Sequence, residues 1–364
     1  MASNLSDFFI IGVDFQPSSS FATWKSRGIN TVVRIRPGAD SVAAFDNAAV
    51  ANGLKAIRNT TNPSADATLT HLIATLDNDE PEMDYTNYVD GRAAVQAAND
   101  ADNAAGKPFF TNFAGPWIRE DVTGTRDYCG IRGQVYNQWC YGEYMLATDW
   151  VAFDDYPMNR GVTINSIANI MGLISPQVTT KPRIAYVEAS DFDCANGYPN
   201  EWHVSYQAVL AVISGARGII YFPHKLGGTE GSCTTPTPDG TTAPIQTEMT
   251  RVNAALAAIP ATTLNGVVNP TGVTFESGET TGRIRWGTRK NTTHAYYLTE
   301  NDSDTTYSHV VRFWGISNCA NKVLTVWEAG RTGTRTVTLN SSCVTTTLET
   351  WSPRRWRIFE ATVN

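Results

Sequence analysis

A chain of 364 residues suits either one very large barrel or a large domain with a smaller companion, and its 42% hydrophobic residues with ten tryptophans supply a sizeable core and exclude wholesale disorder. A formal net charge of -7 argues against nucleic acid or an anionic membrane as partner, since both need a basic face. No apolar run reaches the length of a membrane span, and the stretch Met1 to Phe8 lacks the basic and apolar regions of a signal peptide.

Taken in chain order, short apolar, β-rich runs recur with a regular beat. They are FFIIGVDF (8–15), INTVVRIRP (29–37), GLKAIRN (53–59), HLIATLD (71–77), PFFTNFA (108–114), DWVAFDDYP (149–157), RIAYVEAS (183–190) and ARGIIYFPH (216–224). Between most of them lie helix-forming segments that end in glycine, as C-caps do, at Gly28, Gly106 and Gly215. Continuous apolar strands alternating with helices imply a parallel sheet buried on both faces. Eight such strands predict an α/β fold, a (β/α)8 TIM barrel, over residues 1–261. The interval TTNPSADATLT between the third and fourth runs is too short for a full helix, so that unit is expected to be degenerate.

After a last helix, IQTEMTRVNAALAAI (245–259), the composition changes to alternating Thr, Val, Tyr and Trp runs separated by Gly and Asn turns. Their period of two predicts a small C-terminal antiparallel β-sandwich domain over residues 262–364. Trp286, Trp314, Trp327, Trp351 and Trp356 could stack on sugars or fill its core; filling the core is the expectation, because sandwiches bury about every second residue.

Six cysteines occur without a CxxC pair or other metal-like spacing, so no metal site is expected. Their placement suggests the pairs Cys129–Cys140, Cys194–Cys233 and Cys319–Cys343. Sequons begin at Asn4, Asn59, Asn291, Asn301 and Asn340. Together these point to an extracellular protein whose leader lies outside this chain.

In a (β/α)8 barrel the working groups gather at the C-terminal ends of the strands. Residues 76–84 place five carboxylates directly after the fourth run, including Asp77, Asp79 and Glu80, and Pro81 then ends the sheet. Asp77 and Asp79 lack the Gly and distal Glu of a calcium loop. Glu188 ends the seventh run in otherwise apolar surroundings, where a carboxylate costs several kcal/mol unless it is solvated or paired. Asp14 ends the first run, and Arg34 and Arg36 end the second, flanking Ile35. Asn112, Trp117, Asp154, Asp155 and Tyr156 follow at the ends of the fifth and sixth, with Asp154 and Asp155 on opposite faces so that one at most lines the mouth. Each has an ordinary alternative: Glu80 as a helix-start carboxylate, Trp117 and Tyr156 as packing residues, His224 as a hydrogen-bonded structural group.

A Glu-Pro step ending the fourth strand and a second Glu ending the seventh resemble the retaining (β/α)8 glycoside hydrolases of clan GH-A, the 4/7 superfamily. The resemblance covers residues 8–224 and implies Glu80 as acid/base and Glu188 as nucleophile in a double displacement, with a carbohydrate substrate, no cofactor and a monomeric chain. It further implies a sugar contact from Asn78 or Asp79. Where clan members carry Asn immediately before the acid/base this chain has Asp79, and where many end the eighth strand in Trp it has YFPH, so that Tyr221, Phe222 or His224 would take that place. The segments IIGVDFQ and LDNDE also resemble lysozyme-like muramidases of the GH25 type, whose fourth strand ends in an acidic pair and which do not require a Glu at the position of Glu188. A non-catalytic carbohydrate-binding barrel, such as an adhesin or a phage receptor-binding part, is the alternative from a different class.

Overall fold

The structure, a computed structural model, describes residues 5–36, 38–81, 88–103, 106–115, 140–176, 178–194, 199–227, 231–266, 273–275 and 284–364. The side chains of Asp77 and Asn78 lie outside that description, as do Trp117 and the expected Cys129–Cys140 pair.

Eight parallel strands close into a barrel in chain order: β1 (Ile10–Asp14), β2 (Thr31–Val33), β3 (Lys55–Arg58), β4 (Leu72–Asp79), β5 (Phe109–Ala114), β6 (Trp150–Asp154), β7 (Arg183–Glu188) and β8 (Gly218–Phe222). Each coincides with one of the apolar runs. Burial on both faces explains their unbroken hydrophobicity, with β1, β5, β6 and β8 buried at every residue. The closing seam between β1 and β8 depends on a missing side chain: a Cβ on Gly218 would sit 2.7 Å from Ile10 Cβ. The short third interval forms a single four-residue helix, Pro63–Asp66, N-capped by Asn62. Its Asp66 joins Asp46 in pairing with buried Arg58 at the end of β3. Gly28, Gly106 and Gly215 all adopt positive φ, as expected of residues that end helices.

The chain packs as two compact units. The first comprises Met1–Leu5, Ile10–Tyr198 and Ala216–Thr241 and holds the whole barrel; the second comprises Ser6–Phe9, Pro199–Gly215 and Thr242–Asn364. Helices Glu201–Ile213 and Ala243–Ala258, which follow β7 and β8 in the chain, thus group by packing with the C-terminal strands rather than with the barrel.

In the second unit β10 (Ile284–Lys290), β11 (His294–Asn301), β14 (Val323–Glu328), β15 (Arg335–Thr338) and β17 (Trp356–Thr362) form one antiparallel sheet in the order β10-β11-β17-β14-β15. Two short pairs, β12 (Tyr307–His309) with β16 (Glu349–Trp351) and β13 (Val311–Phe313) with β9 (Val273–Phe275), complete the β-domain. The short segment SHVVRFWG (308–315) divides between both pairs. A core of Tyr297, Val311, Phe313, Leu324, Val326, Trp351 and Phe359 lies among these strands. On the helical side, Gly287 lets the backbone of Ile213 approach to 3.3 Å of where a Cβ would lie, and buried Arg289 donates to the carbonyls of Val212 and Leu264. The disulfides Cys194–Cys233 and Cys319–Cys343 join the pairs expected of them. Asn301 corrects one sequon: it is fully buried and donates to the carbonyls of Thr305, Trp351 and Ser352, so no glycan can reach it in the folded chain.

Candidate active site

The parallel register brings the strand ends to one mouth: Asp79 lies opposite Asn112, Ala114 opposite Asp154, and Glu188 opposite Phe222. A cleft of about 820 Å³ opens there. Its lining combines the charged residues Arg34, Arg36, Asp79, Glu80 and Asp154 with the rings of Phe15, Tyr156, Phe192, Phe222 and His224. The rings are contiguous. Tyr156 lies 4.8 Å from Phe192 and 5.1 Å from Phe222, and Phe222 lies 4.9 Å from His224. The Cys194–Cys233 disulfide ties the loops that carry Phe192 and Leu226, and the backbone bond from Leu226 N–H to Phe192 O holds them together beside it.

Three cleft residues sit in the left-handed region although none is glycine: Phe15 (φ 51°), Arg34 (φ 59°) and Glu80 (φ 47°). Each immediately follows a barrel strand, and each is held by its own amide, which donates at 2.9 Å to the next strand over: Phe15 to Val33, Arg34 to Ile57, Glu80 to Asn112. The sheet ladder therefore enforces conformations that cost about 1–3 kcal/mol each. The same turn aims each side chain into the mouth.

Arg34 is the electrostatic centre. Its Nε donates to Asp14 Oδ1 at 2.8 Å, its terminal nitrogens donate to Asp14 Oδ2 and to Asp79 Oδ2, and its guanidinium lies 4.1 Å over the Phe15 ring. Asp79 is also held by Asn112 Nδ2 at 2.9 Å. Burial pushes the Asp14 carboxyl up to about 6 even with Arg34 opposing the shift. Asp154, nearly buried, accepts from the Tyr156 hydroxyl at 3.1 Å; burial first, and then the charges of Glu80 and Asp79, push its carboxyl well above the ordinary carboxylate range. His224 Nε2 faces the Asp14 carbonyl at 2.8 Å, which fixes the proton on that nitrogen, and burial pushes the imidazole down to about 4, leaving it neutral at pH 7.

Not every expected residue reaches the cleft. Glu188 is fully buried and does not line it: its two oxygens accept the amide hydrogens of Met158 and Asn159, each at 2.8 Å, so that it ties down the turn that follows β6. Burial pushes its carboxyl up to about 8, with Asp155 and Asp191 adding to the shift and the two amides opposing it. Glu188 thus caps that turn internally, and the carboxylates that line the cleft with Glu80 are Asp79 and Asp154. Asp155 is likewise buried, pairing with Arg160 at 3.0 Å, while its neighbour Asp154 takes the mouth. Tyr221 is buried in β8 and Phe222 and His224 face the cleft in its place. Asn112 supports Asp79 from beneath without lining the cleft, and Asp14 does the same for Arg34.

Two cleft-lining residues and one buried neighbour of Arg34 carry no signal in the sequence. Phe15 and Phe192 lie beyond strand ends, where periodicity is silent. Tyr186, two positions before Glu188, is fully buried within reach of the charges of Asp14, Arg34, Asp79 and Asp154, and its hydroxyl finds no hydrogen-bond partner among the described residues.

No protein-family model and no curated protein sequence matches the chain. Solved structures do. A GH30 endoxylanase from Clostridium papyrosolvens C71 superposes with a TM-score of 0.54 at 11% identity, over 98% of this chain and 97% of that one. AmyP in complex with maltose gives 0.54 at 8% identity, over 98% and 95%. A noncanonic maltogenic alpha-amylase, AmyB from Thermotoga neapolitana, gives 0.52 at 10% identity, over the full length of both chains. What this chain shares with them is the fold.

Proposed function

We propose that the protein is a glycoside hydrolase that cleaves a carbohydrate in the barrel-mouth cleft, with Glu80 and Asp154 as its carboxyl pair. One observation carries the reading: Asp154 is pushed up by burial and by Glu80 and Asp79, in a cleft whose fixed cation is Arg34. Glycoside hydrolysis needs one carboxyl that keeps a proton to release the leaving oxygen and one ionised carboxylate to act at the anomeric carbon or on a water. Asp154 suits the first task and Glu80 the second. The contiguous rings offer faces for pyranose C–H groups, and Arg36, Lys225 and Thr237 offer hydroxyl partners. The barrel architecture shared with a xylanase and an amylase supports the same class.

A double displacement through Glu188, which the clan GH-A resemblance implies, would require that side chain to leave two amide bonds and a fully buried site. That specific observation favours the GH25-type muramidase pattern as the second reading, in which the acidic pair ending the fourth strand works without a seventh-strand Glu and the substrate is peptidoglycan. The disulfides support an extracellular setting. The test is reducing-end release from xylan, starch and peptidoglycan by the wild type, Glu80→Gln and Asp154→Asn. Turnover of one glycan that both substitutions abolish supports the reading; turnover that survives them removes it, and glycan binding without turnover by the wild type would favour a carbohydrate-binding barrel.

A further inference from the structure

The second unit contains a cavity of its own, about 420 Å³, between helix Ala243–Ala258 and the β14–β15 hairpin. Of the five C-terminal tryptophans, Trp351 and Trp356 are buried, Trp286 packs partly against the core, and Trp314 is half-exposed beneath Arg312. Trp327 differs. It lies on the face of β14 opposite the core residues Leu324 and Val326, half-buried, and its indole lines the cavity together with buried Trp356, Thr247, Thr250 and the charges Arg251, Glu328 and Arg331.

The cavity rests on a buried polar network. Glu248, 1% exposed, accepts from Trp356 Nε1 at 3.2 Å, from the Gly330 amide at 3.1 Å and from Arg251 at 3.1 Å. Glu328 is held by Arg335 at 3.0 Å and Arg357 at 3.1 Å. The third charge at the wall, half-exposed Arg331, lies 4.0 Å from Glu328, so each wall charge faces an opposite one, and an apolar ligand would leave these groups without solvent. The hydroxyls of Thr247 and Thr250 donate back to Ala243 and Gln246 and keep acceptor sites open. A half-buried indole beside neutralised charges and hydroxyls suits a neutral polyhydroxylated ring, and the volume falls within the range of small-molecule sites, roughly 300–1,000 Å³.

We propose that this cavity is a second carbohydrate-binding site, taking a neutral sugar unit stacked on Trp327, and that it works independently of whether the barrel cleft is catalytic. The full chain is run in native gels containing soluble xylan, soluble starch or glycol chitin, so that retardation reads binding without reading hydrolysis. The wild type should be retarded by one of them, Trp327→Ala should lose at least about fivefold in apparent affinity with an unchanged melting temperature, and Trp327→Tyr, which restores a stacking face, should recover most of it. Ala254→Lys, at an exposed helical position lining the same cavity, should obstruct it without touching the core, which keeps the test valid if Trp327→Ala unfolds. Absence of retardation in all three gels, or retardation that neither Trp327→Ala nor Ala254→Lys changes, overturns the proposal.

Discussion

Arg34 and Asp14 form a two-pronged ion pair at the base of the cleft, with Nε and a terminal nitrogen of the guanidinium each on its own carboxylate oxygen. The fork leaves the other terminal nitrogen for Asp79, so one cation fixes two acids from two strands. Lysine cannot reproduce this geometry. Arg34→Lys should therefore keep the fold but lower kcat/KM by about 10²-fold, the scale expected when a positioning contact is lost, and steady-state kinetics beside a thermal melt checks it.

The left-handed turn at Glu80 gives a prediction that separates strain from chemistry. Glu80→Ala and Glu80→Gly should both be inactive, yet glycine at φ 47° escapes the steric cost that alanine retains. The glycine variant should be the more stable of the two by about 1 kcal/mol. Urea denaturation of both variants measures the difference directly.

Glu188 and Asp14 make stability depend on pH. Burial raises both carboxyls, to about 8 and about 6, above their ordinary values, so the folded state binds more protons than the unfolded chain in that interval. Their stabilising contribution is fully present below the unfolded pKa and is lost as pH rises through 6 and then 8. Wild-type stability should fall by a few kcal/mol between pH 5 and pH 9, and Glu188→Gln should flatten the slope above pH 6, read from denaturation curves at several pH values.

Glu300 offers a further buried carboxyl, remote in sequence from the cleft residues. It is fully buried in β11, neither oxygen has a hydrogen-bond partner among the described residues, and burial raises its pKa well above the carboxylate range. Glu300→Gln removes the cost of ionising it. The variant should be more stable than wild type at pH 8 by about 1–2 kcal/mol, with little difference at pH 4, where the acid is mostly protonated in both states.

The barrel was legible because eight strands buried on both faces must be apolar throughout, and the glycines that end helices mark the intervals. At the site the sequence was less informative. Asp14, Arg34, Asp79, Glu80 and Tyr156 could be found from strand ends alone, since parallel register carries those ends to one mouth. Glu188 lies outside the cleft lining for a physical reason: a buried carboxylate signals a compensating partner, and amide hydrogens of a neighbouring turn compensate as well as a solvated cleft does. Choosing Asp154 over Asp155, or Phe222 over Tyr221, required knowing where each strand leaves the sheet and turns. Trp327 could not be told from Trp351 by pattern, because both alternate in strands and differ only in what covers them.

The central claim, that Glu80 and Asp154 rather than Glu188 carry the chemistry, is tested most directly by kcat/KM for Glu80→Gln, Asp154→Asn and Glu188→Gln on the glycan the wild type turns over. Loss of either member of the acid–base pair should cost at least about 10²–10⁴-fold, whereas Glu188→Gln, measured at a temperature where it stays folded, should remain within about tenfold of wild type. A Glu188→Gln enzyme that is folded but inactive, beside an Asp154→Asn enzyme that is active, would contradict the account.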